Sequence, residues 1–453
     1  MFLLYSLLFS VGVVLSAPYY LWRLRGNILG AGWRERLGFL PESLAQARPG
    51  AIWVHAVSVG ETLAAAELVR ALRRRHPERK IFMSHVTPAG REAGDDRLPA
   101  PTPGASAGGV AATRTPVVDG RFYLPLDWAW STRRVMRRIR PALVLIMETE
   151  LWPNLLRVAH QAGARVVVVN ARLSDRSFRG YRMARPFMRR VLSGVDGVCA
   201  QTKRDAERFE RLGVAAERVM VTGNIKFDSR PLERGPLAAR LANALEVARR
   251  GPVIVAGSTM SGEEALVLEV WSAIRRSHPQ ALLILAPRHP ARFEEVAQLL
   301  ARAGITFVRR TSLEPAAEEL AEQLASPEVL LLNTIGELAG VFELADVVFV
   351  GGSLLPTGGH NLLEPAFAGK PILFGPHMEN FRDIAALFLE ARAAVQVQSP
   401  SELARESLRL LEDSSERQRL GQAAKSVLAR EAGATGRILA RLDAYLESTP
   451  SAD

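Results

Sequence analysis

The chain has 453 residues, of which 48% are hydrophobic, 23% charged and 7% aromatic. That is enough for two ordinary domains and too apolar for global disorder. The single cysteine, Cys199, excludes a disulfide framework and any multi-cysteine metal site. The net charge of +11 is uneven: residues 1–225 carry 34 basic against 18 acidic side chains, the remainder 24 against 29. A basic front half and an acidic back half point to two domains with different partners.

Met1 to Trp22 carries no charged side chain and consists mostly of Leu, Val, Phe, Tyr and Ala. As a helix it would span roughly 33 Å at 1.5 Å per residue, about the hydrocarbon thickness of a bilayer. No basic residue precedes it, and Pro18 follows the one cleavage-like site, Ser16-Ala17. An uncleaved membrane anchor is therefore expected, with a helix lying in the interface as the alternative. Arg23, Arg25, Arg34 and Arg36 follow the run, so the positive-inside rule puts the body of the protein in the cytoplasm.

From residue 51 onward, short β-branched runs alternate with helical stretches. Strands are expected at Ile52–Val57, Ile81–Val86, Phe122–Pro125, Leu143–Met147, Val166–Asn170, Val198–Gln201 and Val219–Thr222, then at Val253–Gly257, Leu282–Ala286, Thr306–Val308, Val329–Leu332, Val347–Val350 and Ile372–Phe374. Near-continuous apolar strands separated by helices mean parallel sheets covered on both faces. The fold class is α/β: two Rossmann-like, doubly wound domains facing each other across a cleft, behind an N-terminal anchor helix. The expected division is an anchor at 1–22, a first domain at 23–224, a linker at 225–250 and a second domain at 251–453. Residues 95–119, rich in Pro, Gly, Ala and Thr, read as a disordered insertion.

Ligands bind such sheets at the carboxyl ends of the strands, so each strand exit is a candidate. The first exit runs His55-Ala56-Val57-Ser58-Val59-Gly60-Glu61 into a helix. Glu61 is either a first-turn acid complementing the helix dipole or a general base. The fourth exit carries Glu148 and Glu150, a capping pair or a functional pair of carboxylates. The exit Gly223-Asn224-Ile225-Lys226-Phe227-Asp228 holds one of only five lysines among 53 arginines, which suggests a specific task for Lys226, such as holding a phosphate.

In the back half, Ala256-Gly257-Ser258-Thr259 offers small residues, and Pro287-Arg288-His289-Pro290 offers a guanidinium for a phosphate or carboxylate. Asn333-Thr334-Ile335-Gly336-Glu337 ends another strand. Gly351-Gly352-Ser353 and Gly358-Gly359-His360-Asn361-Leu362-Leu363-Glu364-Pro365 form a glycine-rich loop running into a helix, whose free amides would suit an anion. No G-x-G-x-x-G follows either first strand and no P-loop motif occurs, which sets aside dinucleotide oxidoreductases and P-loop NTPases. No D-x-D pair stands at a strand exit, so metal-free stabilisation of the leaving group is preferred and no metal ligands are assigned.

The motifs around Val54–Thr62, Met147–Asn154, Gly223–Asp228, Pro287–Pro290 and Gly358–Pro365 together resemble the bacterial 3-deoxy-D-manno-octulosonic acid (Kdo) transferases over essentially the whole chain. The resemblance implies the glycosyltransferase-B arrangement of two Rossmann domains. It implies transfer of Kdo from CMP-Kdo to the glucosamine disaccharide of the lipid A precursor, at the cytoplasmic face of the inner membrane. CMP-Kdo is then the donor substrate and no further cofactor is expected. By motif, Glu61 matches the family's general base, and Glu148 and Lys226 match positions that stabilise the transition state. Pro287, Arg288, Ile335, Gly336, Glu337, Asn361, Leu362, Leu363 and Glu364 match the CMP-binding positions. Asn333 stands where other members often have Asp, and the 95–119 insertion is longer than the family's loop.

Arginine clusters at 70–75, 133–140 and 176–190 are either solvated helix faces or contacts for anionic lipid and the acceptor's phosphates. Nucleic acid is not expected, since no aromatic interleaving or known module accompanies them. The rival readings are a UDP-sugar-dependent glycosyltransferase of lipid A assembly and a non-catalytic membrane adaptor.

Overall fold

Short runs of β-branched residues with helical stretches between them leave each strand no antiparallel neighbour close in sequence, and the strands pair in parallel. The computed structural model describes residues 1–23, 32–44, 49–101, 116–229, 236–313 and 317–447. Contacts divide the chain into two units, Met1–Ser229 with Ala432–Asp453, and Arg230–Glu431.

The first unit is built on β1 (Ala51–His55), β2 (Ile81–His85), β3 (Gly120–Tyr123), β4 (Pro141–Met147), β5 (Arg165–Ala171), β6 (Gly197–Ala200) and β7 (Val219–Val221). They form one sheet in the order β3-β2-β1-β4-β5-β6-β7, parallel throughout. The second unit repeats the plan with β8 (Val253–Thr259), β9 (Leu282–Pro287), β10 (Phe307–Arg309), β11 (Val329–Leu331), β12 (Val347–Val350), β13 (Ile372–Phe374) and β14 (Val395–Gln396). Its order is β10-β11-β9-β8-β12-β13-β14, again all parallel. In each sheet the winding reverses beside the first strand, between β1 and β4 and between β8 and β12, which opens a crevice at the strand ends there.

Parallel sheets covered on both faces need strands apolar on both sides. All seven residues of β4 are buried. A repeated carboxylate clamp ties strand starts together. Asp119, Asp196 and Asp346 each precede a strand and accept an amide at the start of a nearby one: Ile81 N at 2.9 Å, Val166 N at 2.9 Å and Val253 N at 2.8 Å.

All thirteen expected strands are found. The third begins two residues earlier than expected, and β14 was too short to show as a pattern. Three expectations on organisation change. The second domain does not run to residue 453, because the C-terminal helix (Ala434–Glu447) returns to the first unit. Its apolar stripe, Ala434, Ile438, Leu442 and Leu446, is buried in one core with Ala65, Leu68 and Leu72 of the Val59–Arg75 helix and with Leu145, Val167 and Ile225. An amphipathic stripe announces a helix without saying which of two similar sheets it will cover.

The proposed 225–250 linker is likewise not plain linker. Ile225–Asp228 is a 3₁₀ turn of the first unit and Pro236–Val247 a helix; 230–235 lie outside the described residues. The ends of the 95–119 segment are ordered as well. Asp95 to Arg97 close a helix, Leu98 and Val118 are buried, and Asp119 pairs with Lys80 and Arg73. A few apolar residues and one clamp suffice to order the flanks; 102–115 lie outside the described residues.

The N-terminal helix (Phe2–Arg23) has two different sides. On one, Phe2 and Tyr5 meet Phe187, Phe9 meets Trp128 edge-on at 6.0 Å, and Ser10 Oγ accepts from Trp128 Nε1 at 2.8 Å. On the other, Leu3, Leu4, Leu7, Leu8, Val11, Val14 and Leu15 are exposed. Among the described residues no helix is long and apolar enough to cross a membrane.

Docking of the C-terminal helix on the first sheet makes a testable difference. Ile438→Ala, at a fully buried position, should cost the first unit ~2–5 kcal/mol. Amide hydrogen exchange should then quicken in β1 and β4 and stay unchanged in β8 and β9.

Candidate active site

In the first unit, the β1 exit turns straight into the Val59–Arg75 helix, with Ser58 as its N-cap. Glu61 Oε1 accepts from Ser58 Oγ at 2.9 Å and Oε2 from Val57 N at 2.9 Å. This is a reciprocal cap, so the structural role weighed for Glu61 is real. It does not exhaust the group, because a carboxylate offers about four acceptor positions. Burial pushes the Glu61 carboxyl up to about 7, the charges of Glu148 and Glu150 push the same way, and the Val57 amide and Ser58 hydroxyl pull against them. A base poised near neutrality is what proton abstraction at physiological pH requires.

Supports lie beneath this loop. Thr62 Oγ1 donates to Ser58 O at 2.9 Å, and His85 Nδ1 is 3.3 Å from Thr62 Oγ1 and 3.1 Å from Ala56 O. Burial pushes His55 down to about 3 and His85 down to about 4, so both imidazoles are neutral at pH 7.

Strand alternation would put Glu148 and Glu150 on one face, but β4 ends at Met147 and Glu148 adopts φ 53°, in the left-handed region. The turn, not the pleat, aims its side chain. Glu148 Oε1 lies 3.1 Å from Lys226 Nζ. Glu150 is held up mainly by burial and further by the charge of Glu148. Its signal was present in the sequence as the second acid of the exit, yet it was not selected as a site residue. Lys226 is presented by the Ile225–Asp228 turn, fixed by Asn224 Oδ1 accepting from Lys226 N at 3.0 Å. Buried Asn170, at φ 53°, fixes it from the other side by accepting from Ile225 N at 3.1 Å. The structure thus brings Glu61, Glu148 and Lys226 to one edge of the first sheet, with Glu150 added.

In the second unit, β9 ends at buried Pro287, and exposed Arg288 has no carboxylate partner among the described residues. His360 is pushed down to about 4 by burial and then by the charges of Arg288 and His289. That coupling shows the β9 exit and the Gly358–Pro365 loop share one corner. Asn361 Oδ1 accepts from Leu363 N at 3.1 Å and its Nδ2 donates to Glu364 Oε1 at 3.4 Å. Leu362 and Leu363 are buried, so their side chains are core and what they present is backbone. Gly336 turns at φ 88°, leaving Ile335 exposed, while Glu337 accepts from Arg310 at 2.9 Å and from Thr334. Asn333 is tied to Thr311 through both its oxygen and its nitrogen.

The first part of the glycine-rich loop is tied down internally, ahead of the helix N-terminus that the sequence offers to an anion. The Gly352, Ser353 and Leu354 amides donate to the fully buried carboxylate of Glu263 at 2.6, 3.0 and 3.0 Å. The amides of the Gly351–Ser353 stretch are therefore not free for a phosphate. Glu263 was missed because a first-turn acid after β8 looks like any helix-start acid. Its neighbour Glu264, equally buried, takes Arg292 bidentately at 2.6 and 3.0 Å.

The position of the Glu61 carboxyl has a thermodynamic signature. Held at about 7 in the folded chain against an ordinary 4.5, it binds its proton more tightly folded than unfolded. It therefore costs stability as pH rises from about 4.5, and the cost is complete above about 7. Glu61→Gln, which cannot ionise, should gain Tm relative to the parent chain between pH 4.5 and 8 and gain none below pH 4, as read by thermal denaturation.

Residues 31–229 match the family model for 3-deoxy-D-manno-octulosonic-acid transferase (kdotransferase). The chain is 35% identical over 416 residues to the 3-deoxy-D-manno-octulosonic acid transferase of Haemophilus influenzae, covering 91% of each. It is 37% identical over 400 residues to the enzyme of that name from Bordetella pertussis, covering 87% of each. Among solved structures, UDP-GlcNAc 2-epimerase from Neisseria meningitidis shares the fold, with a TM-score of 0.56 at 13% identity over 87% of this chain and all of that one. Similarity of this extent, over both units, places the chain in the 3-deoxy-D-manno-octulosonic acid transferase family, and it is a glycosyltransferase.

Proposed function

We propose that this chain moves Kdo from CMP-Kdo onto a hydroxyl of the lipid A precursor, a disaccharide bisphosphate, by a single inverting displacement. The observation that carries the reading is Glu61 held at about 7 at the same sheet edge as the Lys226–Glu148 pair. The acceptor hydroxyl gives its proton to the Glu61 carboxylate as its oxygen attacks the anomeric carbon of Kdo. The bond from that carbon to the CMP phosphate oxygen breaks, and CMP leaves with the electron pair. Glu148 and Lys226 supply paired charges to a transition state in which positive charge grows on the sugar and negative charge on the leaving group. In the second unit, Arg288, without a carboxylate partner among the described residues, offers its guanidinium to the phosphate. The Ile335-Gly336-Glu337 turn and Asn361 to Glu364 offer backbone and polar groups to the nucleotide.

Transfer from freshly generated CMP-Kdo to the tetraacyl precursor tests this. Glu61→Gln should be slower by at least ~100-fold while still binding CMP. An unimpaired mutant would move the base elsewhere, first to Glu150. A parent chain inactive with this donor but stabilised by a uridine nucleotide would replace the reading with a UDP-sugar enzyme, and no turnover with any donor would favour the adaptor.

The same reading places the protein at the cytoplasmic face of the inner membrane, with the N-terminal helix lying in the lipid surface. Two features support it. One is the exposed aliphatic side of that helix. The other is the Ala129–Ile139 and Pro153–Gln161 helices, which carry Arg133, Arg134, Arg137, Arg138 and Arg157 and no acid. Arg133, Arg137 and Arg140 line a cavity of about 570 Å³ between them. The 70–75 cluster is engaged internally instead, with Arg73 on Asp119, Arg74 on Glu67 and Arg75 on Asp443. The chain should float with vesicles containing anionic phospholipid, more weakly with neutral ones. Leu7→Glu with Val11→Glu should reduce partitioning at least ~10-fold, and 1 M salt should remove the difference between the vesicle types.

A further inference from the structure

The catalytic lysine of the proposed reaction lies on a turn that the far end of the chain holds in place. In the Ile225–Asp228 turn, Ile225 and Phe227 are buried. Lys226 reaches Glu148, and Asp228 reaches residues more than two hundred positions later. Its Oδ1 accepts from Gly433 N at 2.6 Å and its Oδ2 from Thr435 N at 2.5 Å. These are amides at the start of the C-terminal helix, which have no acceptor within the helix and where a negative charge is favoured by the dipole. Arg437, one turn on, donates through Nε to Thr222 O at 2.7 Å, just ahead of the same turn. Ile225 shares its core with Ala434, Ile438 and Leu442 of that helix.

We infer that Asp228 is a positioning residue for the transfer: by capping the C-terminal helix it locks the four-residue turn from which Lys226 meets Glu148. The inference rests on the proposed role of Lys226. A four-residue 3₁₀ turn leaves little freedom between its second and fourth positions. Backbone ties from Asn170 and Asn224 fix its entry, and Asp228 fixes its exit. Without the exit tie, the ammonium loses its fixed distance to Glu148 while the lysine itself remains. The helix's other end gives a built-in control, because Asp443 pairs there with Arg75 at 2.7 Å and His76 at 3.0 Å, away from Lys226.

The test is a double-mutant cycle in the full-length chain, with Kdo transfer from CMP-Kdo to the tetraacyl precursor as readout. Asp228→Ala should lower kcat ~10- to 100-fold, the scale expected of a misplaced catalytic group, with KM for CMP-Kdo unchanged. Asp228→Asn, which keeps one acceptor oxygen, should fall between it and the parent. In a Lys226→Ala background Asp228→Ala should cost nothing further, because the two act as one unit. Asp443→Asn should lower Tm and leave kcat within about twofold.

Parent-like kcat in Asp228→Ala, a further loss in the double mutant equal to its loss alone, or an equal kcat loss in Asp443→Asn would each overturn the inference while leaving Lys226 catalytic. Should Asp228→Ala fail to fold, Asp228→Asn takes its place in the cycle and is judged by the same outcomes. If Lys226→Ala itself transfers at the parent rate, the role of Lys226 is wrong and the inference falls with it.

Discussion

Burial of Glu61 and Glu150 beside Glu148 at one sheet edge, with the neighbouring charges adding to it, is the constraint on which the rest of the site depends. Like charges near one another cannot all ionise freely. The structure lets Lys226 compensate Glu148, while burial and the neighbouring charges push Glu61 and Glu150 upward. The arrangement has a backbone cost. Glu148 is held at φ 53°, a conformation that disfavours an L-residue by ~1–2 kcal/mol. Packed strands on either side over-determine it, which is how strained residues persist at functional edges.

The second unit shows the opposite use of charge. Glu263 and Glu264 are consumed internally, one by three loop amides and the other by Arg292. Their work is to hold the glycine-rich loop and the β9 exit in shape, as the Asp119, Asp196 and Asp346 clamps hold strand starts. What the protein leaves without a carboxylate is equally informative. Arg288 and the arginines of the Ala129–Ile139 helix have no such partner among the described residues, whereas Arg310 and Arg73 do. The uneven charge along the chain is thus partly internal bookkeeping and partly surface offered to anions.

The chain enters the second unit after Ser229 and comes back at Ala432. The returning helix packs beside the Val59–Arg75 helix that carries Glu61, on the same face of the first sheet. Residues distant in sequence therefore set the packing around the strand exit that leads to Glu61. A break in the helix's apolar stripe would be felt at β1 and β4, not in the unit from which the helix has just emerged.

By itself the sequence determined the strands, their parallel pairing and the exits that matter, because β-branched runs of a few residues leave helices no room and parallel sheets admit ligands at one edge only. The motif residues Glu61, Lys226 and Arg288 stood out for the same reason, each lying on the segment by which the chain leaves a strand. Contacts between distant segments decided the rest. The face of Glu148 depended on a left-handed turn that alternation does not encode. The filling of the Gly351–Ser353 amides depended on an acid ninety residues earlier, and the ownership of the last helix on which of two similar sheets had an uncovered apolar face. Periodicity is local and survives in a string of letters, but the partner of a buried charge or an apolar stripe is chosen by three-dimensional proximity.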